Sequence, residues 1–308
     1  MNKIKAYIPL LFIFFNSCQK QEVISTVSKQ GKIIGYQSNS YTVTAPLAFG
    51  EINYSTAAFT NSQTWLQLKV ESNQAMITPQ GLYAVPSAVS EVNSIDSTKI
   101  YTNNIKTQVA KVYKAPTKKQ VVGLMYLPFT AKSYAVQEDT VFEFTLNDAN
   151  NTMQKGTAYT SLKLNTLDVF KSSTAHGYLP NLYVTAKNKM AILNVANNTV
   201  DTIQYLIDAN LYGIRYNHHD SLIYYIRAYN GSVKLVQINP TTKISVDIAT
   251  LPVLQDIDLK TYTATIHCCE NKYILFQNKT FYNIDIKNRT VEIVPSDTIY
   301  QGLIWSQY

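Results

Sequence analysis

The chain has 308 residues, a formal net charge of +7, and a composition that is 46% hydrophobic and 15% charged. Its basic residues are spread along the chain, and the densest pair, Lys118-Lys119, has no interleaved aromatic residues. A nucleic-acid-binding surface needs a basic stripe or a recognisable module, so we expect no nucleic-acid partner. The 23 tyrosines, with frequent Thr, Val and Ile, suit half-buried strands and predict an all-β fold after residue 18.

The first predicted element is a secretory signal peptide at residues 1–17. Lys3 and Lys5 form a positively charged n-region, residues 6–15 form a short apolar h-region, and Asn16-Ser17 precede Cys18. This layout is typical of export signals. A membrane-spanning helix needs about twenty apolar residues, and this run is shorter. We therefore expect the chain to be exported.

The end of the signal segment resembles the lipobox of bacterial lipoproteins. The resemblance implies that Cys18 is linked by a thioether to diacylglycerol and becomes the first mature residue, with residues 18–30 as a polar tether. Phe15 and Asn16 depart from the usual pattern. The alternative is an ordinary cleaved signal with an incidental cysteine, although no A-x-A-like cleavage site is present.

The residues after Cys18 provide a second indication of where the protein is located. Gln19 stands where the inner-membrane retention signal of enteric-type bacteria has Asp. Residues 19–22 are loosely similar to the export tag of some surface-displayed lipoproteins of Gram-negative bacteria, and equally suit a plain polar tether. We expect an outer-membrane location through the lipid anchor, with the periplasmic or cell-surface side left open.

A degenerate repeat organises the rest of the chain. Each copy has an apolar, Tyr-rich strand, a gap, a second strand that ends in Asn or Asp, and a polar turn. The polar anchors of the clearest copies lie 47, 45 and 46 residues apart, at Asn147, Asn194, Asn239 and Asp285. Further steps back reach residues 101–104 and 51–54. Several short strands within a period of about 40–50 residues indicate a β-propeller.

The repeat units resemble the YVTN- and NHL-type propeller repeats. The resemblance covers residues 31–308 and implies one domain of short antiparallel strands, stacked blade against blade. Tyr-rich or apolar strands near residues 82, 124, 182, 222, 273 and 303 give six blades, or seven if residues 31–37 begin another. N-terminal strands are expected to complete the last blade and close the ring. Two β-sandwich domains divided near residues 114–120 are the alternative.

Few side chains point to chemistry. The chain has no G-x-S-x-G elbow, H-E-x-x-H, Walker loop or G-x-G-x-x-G. His218-His219 and Cys268-Cys269 occupy the same repeat position and are expected on one face of the ring, either as a cluster or as variable turn residues. The segment His267-Cys268-Cys269 lacks further ligands at zinc-like spacing, so we expect no metal and no cofactor.

Aromatic side chains are the remaining binding candidates, because their ring faces stack on glycans. We take Tyr224, Tyr225 and Trp305, with His218 and His219, as candidate ligand-facing residues. The sequence thus favours a membrane-tethered lipoprotein with a non-catalytic propeller that binds a glycan or another envelope protein. A propeller-type hydrolase or lyase, similar to a lactonase and acting at the central channel, is the alternative.

Overall fold

The computed structural model describes residues 31–38, 46–67, 75–87, 98–116, 120–159, 161–164, 172–205, 209–258 and 261–306. The predicted signal peptide, Cys18 and tether lie outside these described residues. The regular elements of the described part are all strands, and no helix in it could cross a membrane.

The strands in chain order are β1 (Lys32–Ser38), β2 (Pro46–Asn53), β3 (Ala58–Gln67), β4 (Met76–Ile77), β5 (Leu82–Pro86), β6 (Lys99–Asn104), β7 (Val109–Lys114), β8 (Val121–Leu127), β9 (Lys132–Gln137), β10 (Thr140–Asn147), β11 (Thr152–Ala158), β12 (Ser172–Ala175), β13 (Asn181–Ala186), β14 (Lys189–Asn194), β15 (Thr199–Gln204), β16 (Asn210–Asn217), β17 (Leu222–Tyr229), β18 (Ser232–Ile238), β19 (Ser245–Thr250), β20 (Thr263–His267), β21 (Lys272–Gln277), β22 (Thr280–Asp285), β23 (Thr290–Pro295) and β24 (Ile299–Ser306).

These strands form six four-stranded blades around a central channel, which confirms the predicted propeller with the smaller of the two blade numbers. Blade 1 has the strand order β24-β1-β2-β3. Blades 2 to 6 follow in chain order, four strands each, from β4 to β23. Blades 2 and 3 also touch at their outer strands, where Lys114 pairs with Thr152 in parallel. Inner strands of neighbouring blades contact one another around the ring, so the chain does not divide into two sandwiches near residues 114–120.

The two ends of the described chain close the ring. β24, the innermost strand of blade 1, pairs antiparallel with β1, with Trp305 opposite Ile33 and Tyr300 opposite Gln37. Residues 31–37 therefore begin no seventh blade, because they form the second strand of the blade that β24 begins. Closure of this kind covers both faces of every blade, as the sequence predicted.

Side-chain hydroxyl groups form hydrogen bonds between neighbouring inner strands. An innermost strand has one open edge, whose backbone N–H groups need partners. β12 and β20 each offer two hydroxyl residues spaced two apart, which places both on the same side of the strand. They accept N–H groups of the next inner strand at 2.9 to 3.2 Å: Ser172 from Ile214, Thr174 from Tyr216, Thr263 from Leu303, and Thr265 from Trp305.

The polar anchors of the repeat cap the turn between the third and fourth strands of each blade. Their side-chain oxygens accept backbone N–H groups two or three residues later, in all six blades: Asn53, Asn104, Asn147, Asn194, Asn239 and Asp285. Four residues after each anchor stands a non-glycine residue with φ between 51° and 59°: Ala57, Gln108, Asn151, Asn198, Lys243 and Arg289. The side-chain cap stabilises a turn that usually favours glycine, which explains how a chain with only 10 glycines builds this fold.

The second strand of each of blades 2 to 6 contains a buried tyrosine: Tyr83, Tyr134, Tyr183, Tyr224 and Tyr273. Two of them also tie one blade to the preceding one. The Tyr83 hydroxyl donates to the Gly302 carbonyl at 2.7 Å, and the Tyr273 hydroxyl donates to the Gly213 carbonyl at 2.6 Å. The abundance of tyrosine therefore serves the interfaces between blades.

Gly302 and Gly213 lie at β-bulges of the inner strands β24 and β16, with φ of 60° and 57°. A Cβ atom at Gly302 would lie 2.3 Å from the Tyr83 hydroxyl, and one at Gly213 would lie 2.5 Å from the Tyr273 hydroxyl. The left-handed backbone and the close approach both require glycine here.

We expect Gly302→Ala to destabilise the protein more than Gly231→Ala. Gly231 also has a positive φ, 69°, but nothing lies within 4 Å of a Cβ placed there. Its substitution therefore costs backbone strain alone, about 1–2 kcal/mol. Gly302→Ala adds a clash with Tyr83 and disturbs a buried hydrogen bond, about 1 kcal/mol more. Urea unfolding gives the comparison, and equal losses would contradict the role assigned to the Tyr83–Gly302 contact.

Candidate functional site

A cavity of about 280 Å³ opens at one end of the central channel, where the inner strands turn into the second strands. All six blades contribute to its wall, and we call it the channel mouth. Its lining is mostly apolar and aromatic, with a few polar side chains: Met76, Leu124, Met125, Tyr126, Ser173, Thr174, His176, Arg215, Tyr216, His218, Thr265, Ile266, Cys268, Ile304 and Trp305 line most of it.

Three equivalent side chains at the ends of inner strands cap the turns around the mouth. His176 Nδ1 accepts the N–H groups of Tyr178 and Leu179, both at 3.0 Å. Asn217 and His267 occupy the same position in blades 5 and 6: Asn217 Oδ1 accepts from His219 at 3.1 Å, and His267 Nδ1 accepts from Glu270 at 3.2 Å. The two histidines therefore cap their turns in the same way as the asparagine of blade 5.

His176 is packed among aromatic rings. Its ring centroid lies 4.4 Å from that of Tyr216 and 6.3 Å from that of Tyr183. Burial, with a smaller contribution from nearby His218, lowers the pKa of His176 to about 4. Since Nδ1 accepts two backbone N–H groups and the ring stays neutral, His176 is a poor proton acceptor at neutral pH.

His218 stands at the rim of the mouth, in the turn that follows β16. Its ring lies 4.9 Å from Tyr216 and 6.1 Å from Tyr178, edge to face, and against the backbone of Gly177. The surrounding protein atoms desolvate the ring and lower the pKa of His218, while its outer edge stays exposed. Both histidines that line the mouth are therefore neutral at neutral pH.

Among the described residues that line the mouth, Arg215 is the one with a charged side chain. It lies on β16, three residues before His218 in the turn that follows the strand. Its Nε donates to the Ala264 carbonyl and its Nη1 to the Ile214 carbonyl, each at 2.9 Å. Burial lowers the pKa of Arg215, but an arginine stays protonated in proteins. The mouth thus contains a positive charge.

The two adjacent cysteines differ in environment. Cys268 is buried and lines the mouth, whereas Cys269 is exposed, and no disulfide joins them. Burial raises the pKa of Cys268 to about 11. A thiol of this kind is protonated at neutral pH and is therefore a weak nucleophile. The described residues contain no cluster of three or more His, Cys, Asp or Glu side chains suited to a metal.

Exposed apolar side chains stand beside the mouth on the turns of blades 3 and 4. Phe129 is 56% exposed, Tyr178 is 59% exposed and Leu179 is 47% exposed. These turns follow the inner strands β8 and β12, both of which line the cavity. The rim therefore extends the apolar surface of the mouth outward on one side.

The structure separates the sequence-predicted residues into three groups. His218 and Trp305 line the mouth, and His219 lies exposed at the tip of the turn next to it. Tyr224 and Tyr225 are 1% and 0% exposed, so their assignment as ligand-facing residues needs correction. Tyr224 packs in the cluster shared with blade 6 and Tyr225 in the cluster shared with blade 4. In a propeller both faces of a strand are covered, so strand alternation exposes neither ring.

Three residues of the mouth were not predicted from the sequence: Arg215, His176 and Tyr216. Their inner strands gave weak repeat signals, and only the closed ring brings them together. A usable signal for Arg215 was present, because it is the one charged residue in the otherwise apolar and aromatic segment Leu211–Tyr216.

No protein-family model and no curated protein matches the chain. Solved structures do match. TolB from Acinetobacter baumannii has a TM-score of 0.59 at 13% identity, over 89% of this chain and 66% of its own. The nidogen/laminin complex gives 0.60 at 9% identity, over 90% and 98%. The periplasmic gluconolactonase PpgL of Pseudomonas aeruginosa gives 0.57 at 6% identity, over 90% and 99%.

The chain has the β-propeller fold. At these identities the similarity concerns the fold alone, and fold does not imply function. This propeller spans 66% of the length of the TolB chain.

We expect the stability of the protein to fall as the pH is lowered from about 6.5 towards 4, in part through His176. The unfolded histidine has a pKa near 6.5 and the folded one about 4. The unfolded state therefore binds more protons in this window, so the stabilisation is complete above the window and is lost on acidification.

The matched variant for this prediction is His176→Asn. Asparagine accepts the same kind of turn N–H at the equivalent position, Asn217, so the turn should form without the titrating ring. Urea unfolding at about pH 7 and about pH 5 should show a smaller acid loss for His176→Asn than for the wild type. His218 is present in both proteins, so its own contribution cancels. An identical acid loss in the two would contradict the assignment.

Proposed function

We propose that this protein is an exported, lipid-anchored β-propeller that binds a small ligand at the channel mouth without converting it. The observation that carries the proposal is the mouth itself, a cavity of about 280 Å³ built by all six blades and lined largely by apolar and aromatic groups. Concave, mostly apolar cavities with a few convergent polar groups are the usual form of small-molecule sites.

The states of the reactive side chains support binding over catalysis. A general base works best with a pKa near the operating pH, whereas the pKa of His176 lies near 4 and its Nδ1 holds a turn. A cysteine nucleophile needs its thiolate, and the pKa of Cys268 lies near 11. These groups suit hydrogen bonding and packing against a ligand.

The position of the tether supports a link between the mouth and a membrane. The Gly31 carbonyl oxygen accepts a hydrogen bond from His267 Nε2 at 3.1 Å, beside the turn that follows β20. Gly31, which follows the predicted tether, thus lies on the mouth side of the ring, and an extended chain of thirteen residues reaches about 45 Å. If Cys18 is lipid-modified, the mouth is held near the membrane, where a glycan or another envelope protein would provide the ligand.

A hydrolase of lactonase type is the competing proposal; the gluconolactonase PpgL shares the fold of this chain, and a shared fold does not by itself assign an activity. That enzyme's activity belongs to a chain only 6% identical to this one. The competing proposal requires a group at the mouth that titrates near neutral pH in the presence of substrate, and a turnover assay distinguishes the two.

We expect Cys18 to carry the lipid. Metabolic labelling with a palmitate analogue should tag the wild type and not Cys18→Ala, because the thioether needs that sulfur. Cys269→Ala is the matched control, since it removes another cysteine, an exposed one, and should keep the label. Equal labelling of the wild type and Cys18→Ala would refute the anchor.

We expect retention of a ligand without product. The purified wild type, screened on glycan arrays and with lactone and glycoside substrates, should bind without turnover. Trp305→Ala should weaken retention by about tenfold, because an aromatic wall of the mouth is lost. Tyr229→Ala is the control, as this exposed ring lies at the other end of β17. Turnover that one substitution at His218 or His219 abolishes would make the hydrolase proposal correct.

A further inference from the structure

The exposed apolar side chains of the described residues concentrate at one end of the ring. The strands of a blade alternate in direction, so the turns after the first and third strands lie at the same end, which is the mouth end. The large exposed apolar side chains in or next to these turns are Val109, Phe129, Tyr178, Leu179, Ile244 and Val246. The far end has Tyr229 and Val253, and Ile293 lies part-way along β23.

Three of these side chains stand beside the cavity. Pro128 and Gly177 line the mouth, and Phe129 and Tyr178 are the residues that follow them in the turns after β8 and β12. These two inner strands contact each other, and Leu179 follows Tyr178. Single exposed apolar residues are common on proteins, whereas several together mark an interaction surface. We call Phe129, Tyr178 and Leu179 the apolar rim.

The turns of the apolar rim carry no charge, unlike the turns at the far end of the same blades. Residues 128–131 and 176–180 contain no Asp, Glu, Lys or Arg. The turns between the second and third strands of blades 3 and 4 contain Glu138 with Asp139, and Lys187. Charged side chains are costly to move into the apolar part of a bilayer. The mouth end therefore suits a lipid surface better than the far end does.

The charged side chains next to the exposed apolar residues are paired. Lys132, which follows the turn of Phe129, pairs with Glu143 at 2.9 Å. Lys243, which precedes Ile244, pairs with Asp201 at 2.6 Å. Each pair adds no net charge to this end of the ring, so neither one opposes contact with an apolar layer.

The predicted tether reaches the ring at the same end. The hydrogen bond between the Gly31 carbonyl and His267 lies beside the turn that follows β20, and β1 begins at Lys32 opposite Ser306. The predicted tether, residues 18–30, immediately precedes Gly31 and lies outside the described residues. A lipid on Cys18 is therefore connected to the end of the ring that carries the apolar rim.

We propose that the mouth end of the propeller rests on a lipid bilayer, with Phe129, Tyr178 and Leu179 buried at the level of the lipid headgroups. The inference rests on the proposed lipid anchor and adds a second contact between the protein and the membrane. Aromatic rings with a polar tip favour the headgroup level, and apolar side chains of peripheral proteins enter it to a depth of about 5–10 Å. Two membrane signals together hold a protein more firmly than one.

The experiment attaches the chain to vesicles at its N-terminal end without using Cys18. Residues 19–308 contain every described strand of the ring, and an N-terminal histidine tag holds them on phosphatidylcholine vesicles that contain a nickel-chelating lipid. A polarity-sensitive dye is attached to the exposed Cys269, in the mouth-end turn after β20. We expect vesicles to shift its emission to the blue and a nitroxide-labelled lipid to quench it.

A dye at the far end is the control for orientation. Val253 is exposed and follows β19, the outer strand of blade 5, which runs from the mouth end to the far end. The same dye on Val253→Cys, in a Cys269→Ala background, should show neither the shift nor the quenching. The buried Cys268 thiol should stay unlabelled in both proteins.

Substitutions measure the contribution of the apolar rim. Sedimentation of the untagged chain with vesicles gives a partition constant. Phe129→Ser should lower it about tenfold, and the triple variant with Tyr178→Ser and Leu179→Ser about 100-fold, because apolar area no longer leaves water. Tyr229→Ser combined with Val253→Ser is the matched control and should leave the constant unchanged. All five side chains are exposed, and thermal melts check that each variant is folded.

The outcomes separate this inference from the proposed function. A Cys269 dye that stays in water on the tethered vesicles, or a triple variant that binds as well as the wild type, overturns the bilayer contact and leaves the rim as a surface for a protein partner. A blue shift at Val253→Cys in place of Cys269 also overturns it. A dye shift at Cys269 without palmitate label on Cys18 refutes the anchor and supports the bilayer contact.

Discussion

The antiparallel pairing of β24 with β1 is the constraint on which the whole molecule depends. Each blade is too thin to cover its own faces, so its stability comes from two neighbours. Blade 1 exists only when residues from opposite ends of the sequence meet. The contact between Tyr83 and Gly302 then binds blade 2 to the closing strand. Closure thus converts six marginal sheets into one structure and creates the channel at the same time.

The properties of the channel also follow from the closure of the ring by β24 and β1. Its wall is a ring of strand edges, and the hydroxyls of β12 and β20 satisfy the backbone groups that those edges would otherwise leave unpaired. Turn-capping histidines occupy positions where asparagine works equally well in blade 5. His176 is a structural residue first, and its neutrality makes the mouth less polar than its composition indicates.

The sequence predicted the architecture because the architecture repeats locally. Every blade has an Asn or Asp that caps a turn, and a residue with left-handed backbone follows it four positions later. The face of the strand on which a side chain lies, and the extent to which it is buried, do not repeat in this way. Tyr224 and Tyr225 are adjacent in sequence, yet each is covered by a different neighbouring blade.

The site was the harder part to predict for a related reason. Its residues come from six inner strands, the shortest of which is the two-residue β4, and short strands carry little periodic signal. Arg215 owes its direction to a bulge at Gly213, a local irregularity that a pattern of alternating residues does not reveal. Trp305 was identified because it belongs to a recognisable repeat, and His218 because it shares a turn position with Cys268.

The meeting of β1 and β24 at the mouth has a practical consequence for handling the molecule. Both Lys32 and Ser306, which pair with each other, lie at the end of the ring where the channel opens. An affinity tag, a fused reporter or a surface linkage joined directly at Lys32 or Ser306 would therefore lie on the side of the ring where the channel opens. Attachment through the exposed turn at Asn230 and Gly231, between β17 and β18 at the far end of the ring, would present the opening to solution instead.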